Sequence, residues 1–237
     1  KGRAAALLFN VVGTVVIAAL SMLSLKQVRV WRDAQSLWRH TLAVDPHHGN
    51  ANMNLGGALM KQGLWDEAAE HFESILRRDP TYIGAYTQLG VIYLRQGKLE
   101  QARKYYQRAR ELDPRQADAY ANLGVVAARQ GRFDDAVRLY QKALELDDKH
   151  GKTHNNLAVI LARQGKLDDA VVHYHKAIEI DPHYAPAHRN LGMLLARQGR
   201  FREAFPHLQR VLEVDPDDAG LRRILEQGLK RSGERLD

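Results

Sequence analysis

Cysteine is absent from the 237 residues, which removes disulfides, thiolate metal sites and cysteine nucleophiles together. The compartment stays open, because oxidising and reducing environments both accept a thiol-free chain. Also missing is any stretch in which apolar and polar residues alternate long enough to make a strand. The body of the chain carries no basic stripe interleaved with stacking aromatics, the pattern a nucleic-acid binder needs. The net charge of +7 therefore has another source. Lys1, Arg3, Lys26, Arg29 and Arg32 against Asp33 give +4 within the first 33 residues and leave +3 for the other 204. Basicity concentrated there suits lipid headgroups better than a phosphate backbone, so nucleic acid is not an expected partner.

What is present is a folded composition, 45% hydrophobic and 27% charged. From Ala4 to Leu25 no residue is charged. A helix of that length, at about 1.5 Å per residue, spans roughly 33 Å, the thickness of a bilayer's hydrocarbon core. Residues 1–29 are thus expected to be a transmembrane helix with basic flanks, longer than the apolar core of a signal peptide. Asn10, Gly13, Thr14, Ser21 and Ser24 suit a face turned to neighbouring helices. Lys1 and Arg3 precede the span and Lys26, Arg29 and Arg32 follow it, a balance that does not decide orientation. Lys1, not methionine, stands directly before the run, and the chain is expected to be a processed product or the tail of something longer.

Behind this segment the chain repeats every 34 residues. Leucine followed by glycine or alanine recurs at Leu55-Gly56, Leu89-Gly90, Leu123-Gly124, Leu157-Ala158 and Leu191-Gly192. Gly63, Gly97, Gly131, Gly165 and Gly199 follow, then Ala68, Ala102, Ala136, Ala170 and Ala204, then Phe72, Tyr106, Tyr140, Tyr174 and Leu208. Pro80, Pro114, Pro182 and Pro216 close the units, with Asp148 replacing proline once. In a pair of antiparallel helices, the first small residue lets the partner approach, the alanine receives it, and the bulky residue fills the space beside it. The second glycine ends the first helix in the left-handed region, and Asp-Pro stops the second.

Length, leucine–glycine pair, alanine, aromatic and terminal proline resemble the tetratricopeptide repeat. The resemblance implies an all-α solenoid, a right-handed superhelix of antiparallel helix pairs, with five repeats at 49–82, 83–116, 117–150, 151–184 and 185–218. Trp31, Ala34, Trp38 and Pro46 match the same pattern one period earlier, so residues 30–48 read as an unpaired second helix starting within a few residues of the membrane. Leu221, Ile224, Leu225 and Leu229 among Arg222, Arg223, Glu226, Lys230 and Arg231 read as a capping helix over 219–237.

With Gly49, Ile83, Ala117, Gly151 and Ala185 as position one of each repeat, positions three, seven and ten face the core and positions two, six, nine and thirteen share another face. Position six reads Asn54, Gln88, Asn122, Asn156 and Asn190; position thirteen reads Lys61, Arg95, Arg129, Arg163 and Arg197. In the family the first helices line the concave groove, so the resemblance places both series there as ladders. A similar asparagine ladder grips peptide backbone in the repeat domain of O-linked N-acetylglucosamine transferases. A carboxamide offers donor and acceptor to any peptide unit, and arginine beside it favours carboxylates. The competing reading is structural: the asparagines satisfy polar groups within the stack, and the arginines sit at solvated helix ends against the dipole. The mixture of lysine and asparagine that makes the family's carboxylate clamp is missing from the early repeats.

Among eleven histidines, His150 and His154 have the i, i+4 spacing of a ligand pair, and His154 and His188 fall one repeat apart at position four. No carboxylate or cysteine joins them, and His173 and His175 point different ways on a helix. Position four, shared with Asn52, Tyr86 and Tyr120, reads as a packing position, so no metal and no cofactor is expected. The expected function is a membrane-tethered scaffold, single-pass in the visible chain and without an active site, that binds a protein or peptide partner, acidic if the arginines serve it. The membrane helix followed by repeats also resembles the C-terminal part of polytopic O-mannosyltransferase-type glycosyltransferases, where catalysis would reside upstream. A third reading is a subunit of a membrane complex.

Overall fold

The structure, a computed structural model, describes residues 34–232, and the expected membrane span Ala4–Leu25 lies outside them. Among the described residues no helix is long and apolar enough to cross a membrane. Those residues form twelve helices: α1 Ala34–Val44, α2 Gly49–Lys61, α3 Trp65–Arg78, α4 Ile83–Arg95, α5 Leu99–Leu112, α6 Ala117–Arg129, α7 Phe133–Leu146, α8 Gly151–Arg163, α9 Leu167–Ile180, α10 Ala185–Arg197, α11 Phe201–Val214 and α12 Ala219–Ser232. They pack as two units, one ending at Ile92 and the other beginning at Tyr93.

Each short connection between the two helices of a pair is set by its glycine. Gly63 has φ +79° and Gly131 +75°, a region costly for any residue with a Cβ. The chain reversal lets Leu64 N–H reach back to the Leu59 carbonyl at 3.0 Å and Arg132 N–H to that of Ala127 at 2.9 Å, which satisfies carbonyls a helix end leaves bare. The longer connection between pairs is set by aspartate rather than by proline alone. Asp79, Asp113, Asp147 and Asp181 each turn a side-chain oxygen back to the amide two residues on, at 2.9–3.0 Å. Asp147 makes this turn although Asp148 stands where the other repeats have proline.

In the first unit α2 packs on α3 around Leu55, Leu59, Ala68, Phe72 and Ile75, all nearly inaccessible to water. A Cβ on Gly56 would lie 2.7 Å from the Phe72 ring, so the glycine sets how closely the two helices meet. In the second unit a Cβ on Gly124 would meet Tyr140 at 2.5 Å. One continuous core there runs from Ala127 and Ala136 through Tyr140, Leu157, Tyr174, Leu191 and Leu208 to Leu221 of α12. Ile224 and Leu225 pack against that core while Arg222, Arg223 and Glu226 face solvent. A stack whose every pair shares its apolar face with the next requires such a closing element.

Candidate functional site

In the second unit, Asn122, Asn156 and Asn190 stand half-buried on α6, α8 and α10. The Asn122 side chain has no hydrogen-bond partner among the described residues. Asn190 donates to the Oδ1 of Asn155 at 2.9 Å, and Asn155 donates a long bond of 3.4 Å to Asn156. Asn155, one position before the ladder and 5% exposed, therefore ties two of its members together across adjacent repeats. Asn190 thus spends an amide N–H inside the stack, while Asn122 and most of the Asn156 amide keep their bonding capacity. In the first unit, Asn54 is exposed and Gln88 half-buried.

The cations at position thirteen are all exposed: Lys61 in the first unit, and Arg95, Arg129, Arg163 and Arg197 in the second. Arg129 donates to the Leu94 carbonyl at 2.8 Å, satisfying a carbonyl at the C-terminal end of α4. Arg163 lies over the Phe133 ring, 5.5 Å from its centroid. One N–H of Arg129 is thus committed to a backbone carbonyl, whereas Arg163 is engaged through a ring face. Arg129, Arg163 and Asn156 line one hollow of about 410 Å³ floored by Val125, Ala128, Val159 and Ile160. Buried below it, the Tyr140 hydroxyl is held neutral because burial pushes its pKa up.

Sequence spacing missed how position four is used. Asn52, Tyr86, His154 and His188 each donate to the carbonyl six residues earlier, that of Pro46, Pro80, Asp148 and Pro182, at 3.0–3.1 Å. Position four therefore ties the start of a repeat to the turn that precedes it. Three of these residues also meet a histidine nineteen residues later: Asn52 with His71 at 2.8 Å, His154 with His173 at 2.9 Å and His188 with His207 at 3.0 Å. The pair suggested by i, i+4 spacing does not form. His150 caps α8 through Thr153 and turns its other nitrogen to Asp118 at 2.9 Å. Among the described residues no group of three or more histidine or carboxylate side chains is placed to hold a metal. The glutamines after the arginine ladder were also overlooked. Gln130 donates to Glu100 at 2.6 Å and Gln164 to Asp134 at 2.9 Å, each bond joining neighbouring repeats. The recurrence of Arg-Gln-Gly was their available signal.

The family model described as cilia and flagella-associated protein 70 C-terminal domain matches residues 26–227. Among solved structures, YrrB, described as a TPR protein with an unusual peptide-binding site, has a TM-score of 0.57 at 20% identity, covering 83% of this chain and 100% of that one. PilF of Pseudomonas aeruginosa has a TM-score of 0.72 at 18% identity, covering 79% and 85%. The thermophilic TPR protein TTC0263 of Thermus thermophilus has a TM-score of 0.60 at 28% identity, covering 73% and 94%. No curated protein matches the sequence. Identities of 18–20% show the fold and nothing finer. The paired helices, the glycine–aromatic contacts and the match across residues 26–227 together show that the chain belongs to the tetratricopeptide-repeat family of the cilia and flagella-associated protein 70 C-terminal domain.

Proposed function

We propose that this chain is a membrane-tethered scaffold that holds an extended peptide or partner segment on its first helices. The repeats at 49–82, 83–116, 117–150, 151–184 and 185–218 supply the body, residues 30–48 lead into it, and 219–237 close it. The observation that carries the reading is the hollow of about 410 Å³, where Asn156 meets two exposed guanidiniums over an apolar floor. Its amide is suited to a peptide unit, Arg163 and the uncommitted edge of Arg129 to a carboxylate, and the valines to an apolar side chain. YrrB, of similar fold, is described as having a peptide-binding site, which supports a peptide as occupant. The tether is the uncharged stretch Ala4–Leu25 with its basic flanks.

The test titrates immobilised acidic and neutral peptides against the protein and its variants, with thermal melts alongside. Asn122→Ala with Asn156→Ala should cost about 1–3 kcal/mol, roughly fivefold to a hundredfold in affinity, with little loss of stability. Arg163→Glu should weaken acidic peptides far more than neutral ones and flatten the salt dependence. Normal binding by the double asparagine variant, coupled with a much lower melting temperature, would make the ladder structural. For the tether, deletion of residues 1–29 should move the protein from membrane to soluble fraction with its helical circular dichroism intact. Sedimentation of the deleted form with lipid after a high-salt wash would refute it.

A further inference from the structure

The chain's histidines supply the observation. His154 and His173 face each other through their Nδ1 atoms at 2.9 Å, joining α8 to α9, and His188 and His207 do the same at 3.0 Å, joining α10 to α11. A neutral imidazole carries one N–H. His154 and His188 place theirs on Nε2, because that atom donates to the Asp148 and Pro182 carbonyls at 3.0 and 3.1 Å. Their Nδ1 atoms are then acceptors, and the shared proton belongs to His173 and His207. Each bond is thus defined for two neutral rings, and both rings of each pair are at least half-buried.

We propose that the segment 151–214 is an acid-labile element, in which proton uptake by the pairs His154–His173 and His188–His207 loosens α8 from α9 and α10 from α11. The first proton reaches Nε2 of His173 or His207 and places a cation in a partly dry site. A second, on Nδ1 of His154 or His188, sets two N–H groups head to head and breaks the bond.

Around the rings the charges are mixed, and burial outweighs them. A cavity of about 950 Å³ beside His154 and His173 is lined by Glu145 of α7, Asp148 and Lys149 of the turn, and Lys176 and Glu179 of α9. His150 adds to the positive side, and Asp169 to the negative. His207 has His188 on α10 and the edge of the His175 ring on α9, 5.7 Å between centroids. Glu203 and Arg210 flank it on α11, but Glu203 is taken by Arg200 and Arg210 by Glu213. On the α12 side Arg189 is bound by Asp218 and Asp215. Burial first, and then the neighbouring imidazole, bring both His173 and His207 down to about 4 from an ordinary 6.5. Burial also lowers His154.

A histidine whose folded value is depressed binds its proton more readily when unpacked. Stability is therefore full above about pH 6.5 and drains away as pH falls toward about 4. Two other repeats are built differently at the same register. His71 donates to the Asn52 carboxamide oxygen, which accepts from a charged imidazole equally well and cannot itself take up a proton in this range. Tyr120 and Leu139 replace the pair in the repeat before His154, where they line a shared cavity. Because Asn156 and Asn190 ride on α8 and α10, acid would also disturb the candidate binding face, a consequence resting on the function proposed above. The test reads the helices themselves and stands whether or not a peptide binds.

The full chain in detergent, and a variant with His154→Tyr, His173→Leu, His188→Tyr and His207→Leu copied from its own Tyr120 and Leu139, are melted at pH 7.5 and pH 5. The native chain should lose about 8–16 °C more than the variant over that interval. Parallel losses would overturn the proposal. Should the variant not fold, ring-nitrogen NMR and amide exchange on the native chain decide. One Nδ1–H per pair at pH 7.5, with exchange in α8–α11 rising as the rings charge below pH 6.5 and α6–α7 staying protected, supports it. Charging of His173 and His207 near pH 6.5, or charging without change in α8–α11, sinks it.

Discussion

Gly124 lies midway along α6, where a Cβ would come within 2.5 Å of Tyr140 Cε1 and 2.7 Å of Cδ1. The Tyr140 ring is 2% exposed and enclosed by the core, so Gly124→Ala can be housed only if α6 and α7 move apart or the ring turns. Overpacking of this kind costs about 1–3 kcal/mol. Alanine in mid-helix recovers about 1 kcal/mol over glycine. The net expectation is a loss of about 0–2 kcal/mol, smaller than the clash alone suggests. The chain contains its own control, because Ala158 occupies the equivalent place in α8 and is fully buried beside a buried Tyr174. There the packing has settled around a methyl group, so Ala158→Gly should cost about 2 kcal/mol, from roughly equal losses of apolar burial and helix propensity. Denaturant melts of both variants give the magnitudes, and amide exchange in α6 and α7 against α8 and α9 locates each effect. Since α6 carries Asn122 and Arg129, the first variant should also shift the candidate binding face. A Gly124→Ala protein stabilised by the full propensity gain would refute the claim that this glycine sets the distance between α6 and α7.

Three shorter expectations follow from particular contacts. Tyr106 is completely buried and its hydroxyl has no protein partner among the described residues, while Phe72 fills the same register, so Tyr106→Phe should be neutral or stabilising by up to about 1 kcal/mol in a denaturant melt. Asn155→Ala should cost about 1–2 kcal/mol by stranding the Asn190 amide, whereas Asn122→Ala should stay within about 0.5 kcal/mol; equal losses at the two sites would contradict the distinction between them. Asp147→Ala removes the side-chain acceptor for the Lys149 amide, 3.0 Å away, and should lower the melting temperature by about 1–3 °C, since that turn has no proline to hold it.

The sequence by itself carried whatever repeats along the chain. Leucine–glycine, alanine and aromatic positions fixed which faces of α2 and α3 meet, and likewise of α6 to α11, because helical periodicity is local and a glycine beneath an aromatic has one steric use. Gly63 and its equivalents could be assigned to helix ends for the same reason, and all five have positive φ. The faces bearing Asn122, Asn156, Arg129 and Arg163 were legible too, since residues three and four apart on a helix share a side. How each member of a ladder spends its hydrogen bonds was not legible. Asn190 turns to Asn155, Arg129 to the Leu94 carbonyl and Arg163 to the Phe133 ring, and these choices depend on rotamers and on distances to the preceding repeat. The histidines show the same division. Read along one helix, His150 and His154 resemble a pair, yet the fold sends His150 to Asp118 and His154 to His173, because the antiparallel return of the chain brings together residues nineteen apart. That spacing was present three times in the sequence, at 52 and 71, 154 and 173, and 188 and 207. Only the packing of each second helix on its first made it a contact.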